Sequence, residues 1–388
     1  MGMRIYLDYA AAAPVSPGAL KAYTKAVKAF GNPSAAHEEG RAGKAILEDA
    51  RKRIAHLAGA KPDAIVFTAG ATEANALAIQ GHVKALQERG VPLEKIHLLY
   101  LPGAHASTDA AMTMLAKEGA RVELLPIKDG DIDLTTLAGL LRPETALVSM
   151  EAVSSETGAR FNTRGVRQVL DAHSGAPVLL HVDATQLPFA ESFERTRLAA
   201  DLISLDAQKV GGVRGIGCLI VSPRTTLLPA IGGGGQERGL RSGTETPAAA
   251  LAFAIALEEA AGAREAFTAR ALAARNACIA TITSALPDAV VNEGKENVAH
   301  ILNFSFPGRD TDFLAALLDE RGIAVSTRSA CETDSVEGSR AVQALTGDSA
   351  RATATLRISW GPVTKTDDLR RAMTALIEAV RFIDHTRL

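Results

Sequence analysis

The stretch Leu202-Ile-Ser-Leu-Asp-Ala-Gln-Lys209-Val-Gly-Gly212 runs as an apolar, strand-like segment into a lysine and then into glycine. A short aliphatic run bounded by turn formers is the pattern of a strand buried on both faces. The same pattern recurs on either side, at 65–67, 96–100, 122–125, 146–150, 178–182 and 218–221, with helically spaced segments between. Strands alternating with helices predict an α/β fold: a large domain with a mainly parallel seven-stranded sheet flanked by helices.

Upstream, His181-Val-Asp183-Ala-Thr-Gln186 closes another of these runs with a carboxylate. Ligands of such sheets lie beyond the carboxyl ends of the strands. A lysine amine that can react with a carbonyl, and a carboxylate that can keep a heterocyclic nitrogen protonated, are the protein groups that pyridoxal phosphate requires. Lys209 and Asp183 supply both from two strand ends. A lysine taken alone is far more often a solvated surface charge, so the pairing carries the inference.

Composition narrows the class. With 388 residues, 47% of them hydrophobic, the chain can bury two or three cores. Its three cysteines, Cys218, Cys278 and Cys331, are an odd number without a Cys-x-x-Cys pair. That argues against a disulfide framework or a metal site and for a reducing, cytoplasmic setting. A formal charge of -2 predicts neither a nucleic-acid partner nor an anionic membrane surface. The most apolar window, 248–257, is closed by Glu258 and Glu259 before it could span a bilayer, and the first residues hold no signal-peptide core.

Farther out, Ile46, Ala50, Ile54 and Leu57 recur at helical spacing, and Glu48, Asp49, Arg51, Lys52 and Arg53 read as the solvated face of that helix. Ile231-Gly-Gly-Gly-Gly-Gln236 breaks the alternation, and Pro247 opens a long alanine-rich helix reaching about Leu286. Strands at 301–306, 323–326 and 356–360 and an amphipathic helix over 366–385 then predict a smaller α+β domain. The expected division is 15–255 for the large, cofactor-binding domain, with 1–14 and 256–388 forming the small domain that carries Cys331.

Several constellations suggest roles, each beside a plainer alternative. Phe67-Thr-Ala-Gly70-Ala71-Thr72-Glu73 passes from strand to helix through small residues, which leaves N–H groups for a phosphate; Thr72 could equally be a simple N-cap. His105, in the loop after the strand 96–100, can stack on a flat cofactor and carry protons, or merely cap a helix. Cys331 sits in a small, polar stretch near Arg328, the context of a reactive thiolate, whereas Cys218 and Cys278 lie in apolar runs that suit buried thiols. Arg357, on a strand-like segment, needs an anion, either a substrate carboxylate or a structural partner. Gly215-Ile-Gly217 lacks a third glycine and precedes a strand, so a dinucleotide site is rejected.

Taken in order, Tyr6-Leu-Asp-Tyr-Ala-Ala11, Gly31-Asn-Pro-Ser34, Gly70-Ala-Thr-Glu73, His181-Val-Asp-Ala-Thr-Gln186, Gln236-Glu-Arg-Gly-Leu-Arg-Ser-Gly-Thr-Glu245 and Ser329-Ala-Cys331 resemble the cysteine desulfurase family. The likeness is to its NifS and IscS kind, group I, among the class V aminotransferases of pyridoxal phosphate fold type I. The resemblance implies a homodimer that converts L-cysteine to L-alanine and hands sulfur to an acceptor protein, either an iron–sulfur scaffold or a tRNA-thiolation carrier. Lys209 would hold the cofactor as a Schiff base and move the substrate α-proton. Asp183 would pair with the ring nitrogen, Gln186 with the phenolic oxygen, and His105 would stack on the ring. Ala71, Thr72, Gln208 and, from the second subunit, Thr244 would hold the phosphate. Ser155 and Arg357 would bind substrate, and Cys331 would take its sulfur as a persulfide.

Three positions depart from the family. Ser154-Ser155 stand where it usually has two asparagines, Gln208 where it has histidine, and Asp206 where it has a phosphate-binding serine. Asp206 would repel a phosphate unless an arginine such as Arg214 or Arg238 neutralised it. Two alternatives stay open: another class V enzyme, such as a selenocysteine lyase or an aminotransferase, and a degenerate scaffold for sulfur-transfer partners.

Overall fold

The computed structural model describes residues 4–327 and 338–386. All seven expected strands form one sheet: β1 (Ile65–Thr68), β2 (His97–Tyr100), β3 (Arg121–Leu124), β4 (Thr145–Glu151), β5 (Leu179–Asp183), β6 (Leu202–Asp206) and β7 (Gly217–Val221). Their order is β1-β7-β6-β5-β4-β2-β3. β7 runs antiparallel to both its neighbours, and the other pairs are parallel. Every residue of β1, β6 and β7 is buried, as continuous aliphatic runs require when helices cover both faces.

Because β4, β5 and β6 are parallel neighbours, the carboxylates that close them, Glu151, Asp183 and Asp206, reach the same end of the sheet. Glu151 and Asp183 are register partners. The helix Ala71–Glu88 starts at that end, three residues beyond β1, and the helix Ala106–Glu118 starts there after β2.

The helix Pro247–Ala285, with proline in its first turn, is 39 residues long, about 58 Å at the usual rise. Ala250, Phe253 and Leu257 in its first half pack in the core of the large sheet. Phe267, Ala271, Cys278 and Ile282 in its second half belong to a separate core with Phe304, Ile358, Trp360 and Leu376. That second core lies against an antiparallel sheet of β8 (Val290–Val291), β9 (Ile301–Ser305) and β10 (Thr355–Ser359) and under the terminal helix Thr366–Thr386. Only Ile323–Ala324 of the expected strand 323–326 is regular, paired in parallel with Ile5–Tyr6, while Ser326 makes an isolated bridge to Arg357. The chain's beginning is thereby stitched to its end.

One expectation fails in the helix Glu38–Leu57: Arg51 is not solvated. It is 4% exposed and reaches Glu237, whose carboxylate it grips through two nitrogens. Cys218 and Cys278 are buried as expected, and burial pushes the Cys278 thiol up to about 11 and that of Cys218 higher still. Among the described residues no helix is long and apolar enough to cross a membrane.

Candidate active site

A cavity of roughly 180 Å³ opens at the carboxyl ends of β4, β5 and β6. Ala71, Thr72, His105, Ser155, Asp183, Gln186, Gln208, Lys209 and Arg357 all line it, together with Ala10, Glu151 and Asp206. Residues far apart in the chain therefore meet as the sequence suggested. Thr244 is exposed and does not line this cavity. Cys331 lies outside the described residues.

Lys209 ends the single helical turn Ala207–Lys209 that follows β6. Its Nζ donates to the carbonyls of Ala10 and Ala11, both at 2.8 Å, and Gln186 Nε2 donates to the same Ala10 carbonyl at 2.9 Å. The N-terminal segment thus forms one wall and aims the lysine. Asp183 is 5% exposed. Its Oδ2 accepts from Asn75 Nδ2 at 2.7 Å and its Oδ1 from the Thr185 N–H at 3.0 Å. Two residues before it in the strand, His181 lies between the hydroxyls of Ser149 and Ser204, and burial lowers its pKa to about 4, so the ring is neutral.

His105 has the capping role that the sequence allowed, and it lies on the cavity wall. It caps the helix Ala106–Glu118, with Nδ1 accepting from the Ser107 N–H at 3.2 Å. Its backbone N–H donates to Glu151 Oε1 at 2.8 Å. Burial, and then the charge of Asp183, raise the Glu151 carboxyl well above the usual range. Glu151, Asn75 and Asp8 are site residues that the sequence reading passed over. The rule that found Asp183, a carboxylate closing a strand-like run, applies equally to Val148-Ser-Met-Glu151.

Arg357 projects from β10 and is 3% exposed. Nη2 donates to Asp8 Oδ1 at 2.6 Å and Nη1 to the Ser155 carbonyl at 3.0 Å, while Nε is buried without a partner among the described residues. A structural ion pair and an unspent donor coexist in one guanidinium.

At the opposite side, the helix Ala71–Glu88 has Gly70 at its N-cap and no side-chain cap, so Thr72 is not the cap but a first-turn residue on the cavity wall. The Ala71 N–H donates to Asp206 Oδ2 at 2.9 Å and the Gln208 N–H to Asp206 Oδ1 at 3.0 Å. The expected neutralising arginine is not there: Arg238 donates to the Ile65 carbonyl, and no arginine hydrogen-bonds Asp206 among the described residues. Burial raises the Asp206 carboxyl against the opposing pull of these two N–H groups and of Lys209.

Comparison with known proteins places this geometry. A family model described as aminotransferase class-V matches residues 5–371. A cysteine desulfurase IscS of Dictyoglomus turgidum is 31% identical over 389 residues, covering 99% of this chain and 97% of its own length. An IscS-like cysteine desulfurase of Mycobacterium tuberculosis is 33% identical, with 97% and 96% covered. The chain belongs to the cysteine desulfurase family. A solved NifS-like protein of the same fold superposes with a TM-score of 0.90 at 27% identity, over 98% of this chain and 100% of that one. The structure of SspA in complex with cysteine is 29% identical, with a TM-score of 0.77 over 93% of this chain and 100% of that one.

Proposed function

We propose that this cavity holds pyridoxal 5'-phosphate and that the chain converts L-cysteine to L-alanine, leaving the sulfur as a persulfide on Cys331. The observation that carries the reading is the convergence of the Lys209 amine, the buried Asp183 carboxylate and the incompletely paired Arg357 on one cavity. The donor set fits the cofactor: an amine for its aldehyde, a carboxylate that Asn75 and Thr185 keep oriented for its ring nitrogen, and an imidazole, His105, at the wall for its ring face. Bound there, the cofactor supplies an electron sink for the substrate Cα.

The chain's own residues do the rest. Arg357 binds the substrate carboxylate, using the buried Nε and rearranging about Asp8. Lys209, whose amine lines the cavity, takes the proton from the substrate Cα. The Cys331 thiolate attacks the substrate sulfur; the new S–S bond forms as the carbon–sulfur bond breaks, Cβ collects a proton, and Lys209 returns the proton it took to Cα, which gives alanine. The position of Cys331 in the chain supports this role. Ser326 bridges Arg357 through the backbone, and Ser339 Oγ donates to Glu156, one residue from Ser155. The described residues on either side of the Cys331 segment, Ser326 and Ser339, thus both pair with residues beside the cavity.

The same reading includes a homodimer in which Thr244 of the second subunit reaches the phosphate, and an acceptor protein serving iron–sulfur assembly or tRNA thiolation in the cytoplasm. It also includes a division at 15–255 against 1–14 with 256–388, supported by the two cores that share the long helix.

The test is to incubate the purified protein with cysteine, pyridoxal phosphate and a reductant and to follow sulfide and alanine together. Wild type should release both in equal amounts. Cys331→Ala should still bind cysteine, seen as a change in visible absorbance, while alanine production collapses and alkylation traps no persulfide. Alanine formed by that variant at the wild-type rate transfers the reading to a lyase that does not use Cys331. Absence of product from wild type would favour the scaffold.

A further inference from the structure

Asp206 closes β6 inside the cavity with only 7% of its surface exposed. Both of its oxygens are engaged by main chain, Oδ2 by Ala71 at 2.9 Å and Oδ1 by Gln208 at 3.0 Å. Ala71 opens an 18-residue helix whose N-cap glycine offers no side chain of its own. The carboxylate is therefore the resident anion of that helix end, where the N–H groups and the helix dipole favour negative charge. A Cβ placed on Gly70 would come within 3.0 Å of Asp206 Oδ2, so the fit is close.

A phosphate brought to this helix end arrives at a place that already holds a negative charge. The charged groups that face Asp206 are Lys209, which favours its ionised form, and Asp183, which opposes it; Cys218, on the adjacent β7, is buried and protonated. Burial has already moved the carboxyl upward before any ligand enters. Two anions in hydrogen-bonding reach of each other are relieved when one takes a proton, and a protonated Asp206 becomes a donor to the phosphate.

We infer that Asp206 takes up a proton from solvent when the cofactor's phosphate binds, so that the phosphate-dependent part of cofactor affinity weakens as pH rises. This rests on the reading that the cavity holds pyridoxal phosphate. The sign follows from linkage: the bound state has the higher Asp206 pKa and holds more protons. Binding is thus strongest below the pKa of the free protein's Asp206 and is lost as pH climbs through the raised one.

The experiment is equilibrium binding of two probes, pyridoxal phosphate and pyridoxal, to the cofactor-free protein, from about pH 7 to about pH 9 and so above the phosphate's own titration. The ratio of the two dissociation constants isolates the phosphate, because the aldehyde and ring are common to both. In wild type the preference for the phosphorylated form should fall with pH, at most about tenfold per unit. In Asp206→Asn and in Asp206→Ser, which keeps an acceptor for Ala71, the ratio should be flat and, at the alkaline end, larger than in wild type. A flat ratio in wild type, or the wild-type slope persisting in the variants, overturns the inference. If neither probe binds at any pH, it is the cofactor reading that fails.

Discussion

Arg51 and Arg357 are both nearly buried, and each is hydrogen-bonded to a carboxylate and to a main-chain carbonyl, yet their guanidinium groups are left in different states. All three nitrogens of Arg51 donate: Nε to Glu48, Nη1 to the Ile65 carbonyl and Glu237, and Nη2 to Glu237. The group also lies 4.8 Å from the Phe67 ring centroid. Glu237 accepts in addition from the Phe67 N–H at 2.8 Å. This pair is closed, and it holds Glu237 and Arg238 at φ of 49° and 58°, where residues with side chains seldom stay unaided. Arg357 satisfies two nitrogens and leaves Nε buried without a partner among the described residues. A saturated guanidinium fastens a chain segment, whereas one with a donor unspent can take a further anion.

The strongest way to break that distinction is to cut the closed pair. Glu237→Gln leaves the buried Arg51 guanidinium with only the part-exposed Glu48 for compensation and releases the left-handed bend, and should lower unfolding stability by about 3 kcal/mol in a denaturant titration. Arg357→Gln should behave differently. We expect a stability change of about 1 kcal/mol, but cysteine affinity, followed by visible absorbance, should weaken by roughly 10- to 100-fold as charged hydrogen bonds are lost. Equal stability losses at the two positions would show that Arg357 is only a fastener.

A smaller effect sharpens the point with a third enclosed group. His300 packs edge-on against Phe189 and beside Phe267, and burial followed by Arg275 lowers its pKa to about 4. The unfolded chain, with its histidine near the usual value of about 6.5, binds the proton that the fold refuses, so stability rises with pH between those two values and falls as the solution is acidified. Comparing unfolding at about pH 7.5 and about pH 5.5, His300→Phe should remove about 1 kcal/mol of the acid loss. An unchanged acid loss would place the sensitive group elsewhere.

Much of this was legible before any coordinates. The seven strands declare themselves because a strand covered on both faces must be apolar throughout, and Lys209 and Asp183 stand out because a charge ending such a run has to face a cavity or solvent. What could not be read was pairing at a distance. Arg51 looks like one charge among five on a helix face, and only the fold brings Glu237, 186 residues later, against it. Asp8 lay inside a segment quoted for its likeness to a family, with nothing local to announce an arginine 349 residues away. Asp206 was suspected of opposing a phosphate, but its actual partners are main-chain N–H groups, which no side-chain pattern encodes.

The stitching of the first residues to the last strand has a consequence for how the protein is made. Ala10 and Ala11 receive Lys209, and Asp8 receives Arg357, so the cavity is walled by the two extremes of the chain. At roughly 5–20 residues per second of synthesis, the first residues wait on the order of 20 seconds to a minute for the strand that completes the site. A nascent chain therefore lacks this cavity until that strand has emerged, and any ligand of the cavity can settle there only afterwards.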